Sequence, residues 1–168
     1  MRYFFVIICL LYFSSCLNNQ KKYLNTNLNV KHVGLSTCAS CHTDIYNSYS
    51  KTGMGNSIRK ATKYNSSAVF NEIIHDVNTN YHYYPFFRSD SIFVDEYLIY
   101  NNDTIHYKEQ NIASIIGSGH HTNSHLISNN GYLYQAPFTY YTQDSVLDFP
   151  PGFENENNTR FSRKMGLE

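Results

Sequence analysis

Five residues constrain this chain more than anything else in it: Cys38, Ala39, Ser40, Cys41 and His42. The 168-residue sequence holds four cysteines. Cys9 sits within an apolar N-terminal run and Cys16 closes that run, so Cys38 and Cys41 are the remaining pair and leave no partner for a larger disulfide framework. On an exported chain, two cysteines separated by two residues and followed at once by histidine form a haem c attachment signature. Each thiol adds to one vinyl group of the porphyrin, and His42 is placed to give its imidazole to the iron as the proximal axial ligand. Two other readings share the spacing. A thioredoxin-like redox pair needs a strand-to-helix setting, and residues 31–37 are polar with no buried-strand pattern. A zinc site needs a second ligand pair, for which no cysteine is left, although seven other histidines could contribute.

Export is read from the N-terminus. Arg2 gives a positive start, residues 3–13 are an apolar run, and Ser14 and Ser15 are small residues before Cys16. The run is too short to cross a bilayer as a helix. Small residues ahead of a cysteine resemble the lipobox of bacterial lipoproteins, in which that cysteine is acylated, and ordinary secretory cleavage nearby is the alternative. The organisation expected is a lipoprotein-type signal peptide over 1–15, an Asn-, Gln- and Lys-rich tether over 16–32, and one haem-bearing domain over 33–168. The protein is then exported, either lipid-anchored through Cys16 and facing the periplasm, or free in the periplasm.

Composition narrows the partners and the fold. Formal net charge is zero and the isoelectric point is about 7.1, so no broad basic field exists to hold nucleic acid or an anionic membrane surface. With Tyr 16, Phe 11, Trp 0 and abundant Asn, the chain is rich in strand and turn formers. Ile45, Tyr46 and Tyr49 recur at helical spacing after Thr43 or Asp44, either of which can cap, and Gly53 and Gly55 end that short helix. Residues 81–87, 91–100 and 104–108 read as a β-meander, broken by the turns at 88–90 and 101–103. Residues 111–116 read as a helical turn stopped by Gly117, Ser118 and Gly119, leading into a histidine-rich loop with His120, His121 and His125. Residues 126–128 and 132–141 form a hairpin around Asn129, Asn130 and Gly131, with Pro137 marking an edge or irregular strand. The expected class is α+β: a short haem-attachment helix, a β-meander, a hairpin and much irregular loop.

Several of these residues taken together resemble a known family. The attachment motif with Tyr46 and Tyr49, then Thr52, Gly53, Met54 and Gly55, then Tyr81, His82 and Tyr83, then 116–126 and 132–137, are similar to the cytochrome c-552/4 domain of bacterial multihaem cytochromes. The resemblance covers residues 33–168, and 117–125 is its most specific part. It implies a haem-bearing electron carrier whose redox partners are other cytochromes. It also implies a second axial ligand at the position of Met54, which is often histidine in the family. A thioether ligates haem iron, and a His/Met pair gives a higher potential than two histidines; the other role for Met54 is to fill a core gap. His121 and His125 are the alternative distal ligands, or they hydrogen bond within the glycine-rich loop, or serve a neighbouring haem as in longer relatives. His32, His75, His82 and His106 fall in linker or strand contexts. Family members usually run past the equivalent of residues 166–168 into another Cys-x-x-Cys-His motif, so the chain reads as the first haem module of a longer multihaem protein.

Electron transfer through a six-coordinate haem therefore leads. An enzyme with an open distal side, in which His121 or His125 serves as acid or base on a small nitrogen, sulfur or peroxide substrate, is the alternative of a different class. An inactive fragment of a multihaem cytochrome is the third.

Overall fold

A computed structural model describes residues 29–31, 33–154 and 158–166. The expected signal peptide, the acylation candidate Cys16, most of the tether and His32 lie outside the described residues. The chain divides into two compact units, Met1–Cys38 and Ala39–Glu168. In the first, the Thr37 hydroxyl donates to the Val33 carbonyl at 2.8 Å, where helix α1 (Leu35–Ala39) begins.

The second unit opens with helix α2 (Thr43–Tyr49) and then runs entirely to strands. They are β1 (Ile58–Lys60), β2 (Ile74–His75), β3 (Tyr81–Arg88), β4 (Ser91–Tyr100), β5 (Asp103–Asn111), β6 (Ser114–Ile116), β7 (Thr122–Asn129), β8 (Tyr132–Tyr141) and β9 (Val146–Asp148). β2–β3–β4–β5 form one antiparallel sheet in sequence order. Its β4–β5 turn needs left-handed backbone at both central residues, and asparagine, which tolerates that region, fills both: Asn101 has φ 50° and Asn102 φ 67°. Asn130 (φ 50°) and Gly131 (φ 80°) repeat the device between β7 and β8.

The other antiparallel sheet has the order β1–β6–β7–β8–β9. The chain passes from one sheet to the other within two residues. The Ile112 amide donates to Ile92 of β4 at 2.9 Å, and the next amide, Ala113, donates to Leu126 of β7 at 2.8 Å. Alternation turns Tyr83, Ile92 and Val94 of the first sheet into one core with Ile115, Ile127, Ala136 and Phe138 of the second, all buried. Each large side chain among them contributes about 1.5–3 kcal/mol of burial.

Residues 158–166 strap both sheets. Arg160 reaches the fully buried Glu96 of β4 through Nε at 2.8 Å and again through Nη2. Asn158 donates to Asp76 at 2.8 Å and to the Tyr83 hydroxyl at 3.1 Å. The same segment pairs with β8, where Gln135 N donates to Arg163 O and Met165 N to Leu133 O, both at 2.9 Å.

The α+β expectation is corrected by this architecture. Among the described residues the chain is mostly β, two antiparallel sheets beside helices of only five and seven residues. The expected helical turn at 111–116 is the strand crossover with β6, because Ile112 and Ile115 are needed in the shared core. Much of the expected histidine-rich loop is likewise strand, β7. Of the two readings of Pro137 the irregular strand holds and the edge does not: it lies in an internal strand at a register shift, where Ser124 pairs Thr139 but Leu126 pairs Gln135. A residue without an amide hydrogen fits such an interruption of the ladder.

Candidate functional site

Cys38 and Cys41 are both free thiols and both exposed. Cys41 is followed by His42, also exposed, which is the N-cap residue of α2 and makes no side-chain capping bond. The expected caps do not form: the Thr43 hydroxyl instead donates back to the Ala39 carbonyl at 2.9 Å.

α2 buries none of its residues. Ile45 is 66% exposed and Tyr49, one turn on along the same face, is 37% exposed. Seven residues are too few for a helix to be stable in water by propensity, so this one depends on its ends and on whatever covers that face. Its C-terminal end is tightly built. Thr52 Oγ1 donates to Tyr49 O at 2.7 Å, Asn56 Nδ2 donates to Ser50 O at 2.8 Å, and Ser57 Oγ donates to Met54 O at 2.7 Å. Gly55 is required here, since a Cβ would overlap the Tyr49 carbonyl oxygen. The turn holds Met54 outward, 74% exposed, so it is not filling a core gap.

The loop with His121 is joined to that turn. Gly117 N donates to Ser57 O at 2.8 Å, and Arg59 spans the two segments. Its Nη1 donates to Asn56 O at 2.8 Å and to Gly117 O, its Nη2 to Asn123 Oδ1 at 2.7 Å. His121 is exposed, with its carbonyl accepting from Thr142 N at 2.8 Å. The structure thus brings the Met54 turn and the His121 loop together. It does not bring His125 with them: that imidazole is wholly buried in the core, 4.2 Å from the Phe138 ring and 5.8 Å from Phe70 between centroids. Neither ring nitrogen has a hydrogen-bond partner among the described residues. Burial, aided by the charge of Arg59 and opposed by the Phe138 backbone, lowers the His125 pKa to about 3.

Arg59 is the residue that reading the sequence missed. It is one of two adjacent cations, with Lys60, in a short edge strand, and nothing in residues 56–60 signals that its partners lie at Gly117 and Asn123. His125 had a signal in the alternation of Asn123, His125 and Ile127, which points all three to one side of a strand. Among the described residues no three of His, Cys, Asp or Glu converge to hold a metal ion, which leaves the zinc reading without a ligand set there. No helix among them is long and apolar enough to cross a membrane. No family model, curated protein or solved structure matches the chain.

Proposed function

We propose that this chain is a c-type electron carrier, with one haem bound covalently through Cys38 and Cys41 and His42 as its proximal ligand. The observation that carries the reading is the pairing of the Cys-x-x-Cys-His motif with a helix that, among the described residues, leaves Ile45 largely and Tyr49 partly exposed. Two unpaired, exposed thiols fit thioether formation, and an uncovered apolar face fits a large flat apolar group. Bound there, haem supplies reversible one-electron transfer at iron, with potential set by axial ligand and burial.

The chain's own residues then have separate tasks. Cys38 and Cys41 fix the group, and His42 at the start of α2 presents its imidazole. Met54, in the turn that follows the same helix, offers a thioether, and Thr52, Gly55 and Asn56 hold that turn in place. His121 is the alternative distal ligand, in a loop that Arg59 ties to that turn. Redox partner proteins, other cytochromes among them, would dock where the group reaches solvent.

The test is production of the exported protein together with haem ligation machinery. Haem staining after denaturing electrophoresis and a haem adduct by mass spectrometry are expected, both lost in C38A/C41A. An unmodified mass in the parent protein overturns the reading.

A further inference from the structure

The four-stranded sheet has two faces of different character. Tyr83, Ile92, Val94 and Glu96 point into the core, so the alternate residues of β3, β4 and β5 make an outer face with no element over it among the described residues. That face is aromatic: His82 stacks on Tyr97 at 5.1 Å, and Phe86 on Phe93 at 6.0 Å. Tyr84 is 38% and Tyr107 59% exposed.

Its charges are unbalanced. Asp95 and Glu109 are paired directly across β4 and β5, an arrangement of like charges that destabilises a sheet. Arg88 answers one of them. Its guanidinium lies 4.5 Å from the Phe93 ring centre and donates to both Glu109 oxygens, at 2.9 and 2.5 Å. Asp95 feels the same guanidinium through space but is not bonded to it: Oδ1 accepts from the Tyr107 hydroxyl at 2.8 Å, and Oδ2 takes no hydrogen bond or ion pair among the described residues. Tyr84 stands opposite Asp95 on β3, and Tyr97 lies on the same face of β4. The Arg88 arrangement, a carboxylate beside aromatic rings, is thus laid out a second time without a bonded cation of its own, one guanidinium serving two carboxylates.

We infer that this face docks a basic segment of a partner protein, with one Lys or Arg side chain entering beside Asp95, between Tyr84 and Tyr97, as Arg88 does beside Glu109. The inference goes beyond the haem reading and does not rest on it. Charge complementarity selects the occupant: the face carries two carboxylates against one guanidinium, and cations are attracted both to them and to ring faces. A polyanion is repelled. A neutral sugar gains nothing from the excess of carboxylate over guanidinium on this face.

The full exported chain is titrated with an acetylated, amidated Leu-Arg-Leu-Arg peptide while the tyrosine ring signals are followed by NMR. Saturable shifts at Tyr84, Tyr97 and Tyr107 are expected, fading as salt rises from about 0.05 to 0.5 M. D95N, matched for fold by circular dichroism, should bind about tenfold more weakly. Y107F keeps the ring and frees the second oxygen of Asp95, so it should bind at least as well as the parent. A Leu-Glu-Leu-Glu peptide or cellobiose giving equal shifts overturns the inference, as does undiminished binding by D95N. A concentration-dependent dimer that protects these rings also overturns it, by assigning the face to a second copy.

Discussion

His125 and Phe138 lie ring against ring at 4.2 Å and 22°, on neighbouring strands at the point where the β7–β8 register shifts. An ionisable group has been placed where charge cannot be solvated, and the stability of the fold is therefore tied to its neutrality.

Neutral burial fixes the sign of the pH dependence. The folded pKa of about 3 lies below the ordinary value of 6.5, so between those limits the unfolded chain binds the proton and the folded one does not. The contribution of this group is fully present above pH 6.5 and falls by about 1.4 kcal/mol per pH unit as the medium is acidified toward pH 3. Urea unfolding of the parent and of H125F at pH 7 and pH 5 checks it. The pH 5 penalty should shrink in H125F by roughly 2 kcal/mol, and equal penalties in both proteins would show that His125 titrates normally.

The clamp on Glu96 gives a second expectation. Burial pushes this carboxyl up, and the bonds from Arg160 and His106 outweigh that and leave it below the usual glutamate range. Removing one partner of a buried pair costs about 3–5 kcal/mol, and since the Arg160 side chain is 37% exposed, R160M should cost nearer 2–3 kcal/mol. Guanidinium unfolding of R160M and of E96Q/R160M distinguishes mechanisms: the double variant should recover part of the loss, because the uncompensated charge is gone. No recovery would mean that the strap matters through its backbone pairing with β8 alone.

Met54 should be the sixth ligand of the bound iron, visible as the weak near-infrared sulfur-to-iron band. M54A should abolish the band. G55A, whose Cβ forces the chain away from the Tyr49 carbonyl, should weaken it while leaving the haem attached. Loss of the low-spin spectrum in H121A, with M54A unchanged, would give the role to His121.

Cys16 is the expected point of lipid attachment. C16S should move the protein from the membrane fraction to the soluble exported fraction, read by fractionation and immunoblot. A C16S protein that stays with the membrane would require another means of attachment.

How much could be read in advance depended on how local the cause was. The hairpin strands were legible because alternation and turn chemistry are short-range: Asn101 and Asn102, and Asn130 with Gly131, announce left-handed turns before any contact is known. The short helix after His42 was legible for the same reason, at Thr43–Tyr49. The two-sheet architecture was not, since it turns on Ile112 and Ala113 bonding to different sheets, and no local pattern marks such a crossing. The glycines at 117 and 119 suggested a loop, whereas tertiary pairing with β8 makes a strand of residues 122–129. At the candidate site, the motif from Cys38 to His42 is fully written in the sequence, but the joining of the Met54 turn to the His121 loop depends on Arg59 and its distant partners.

β1 has its ladder partner in β6, and between them in the sequence lies the whole four-stranded sheet; Arg59 reaches Gly117 across 58 residues. A chain delivered N-terminus first therefore presents Cys41 and His42 to solvent well before the strand downstream of them has anything to pair with. Closure of a loop this long is slow compared with the hairpins inside it. Both cysteines are exposed in the finished fold as well, so an enzyme that modifies them can work during that interval or after it, with no unfolding step needed to reach them.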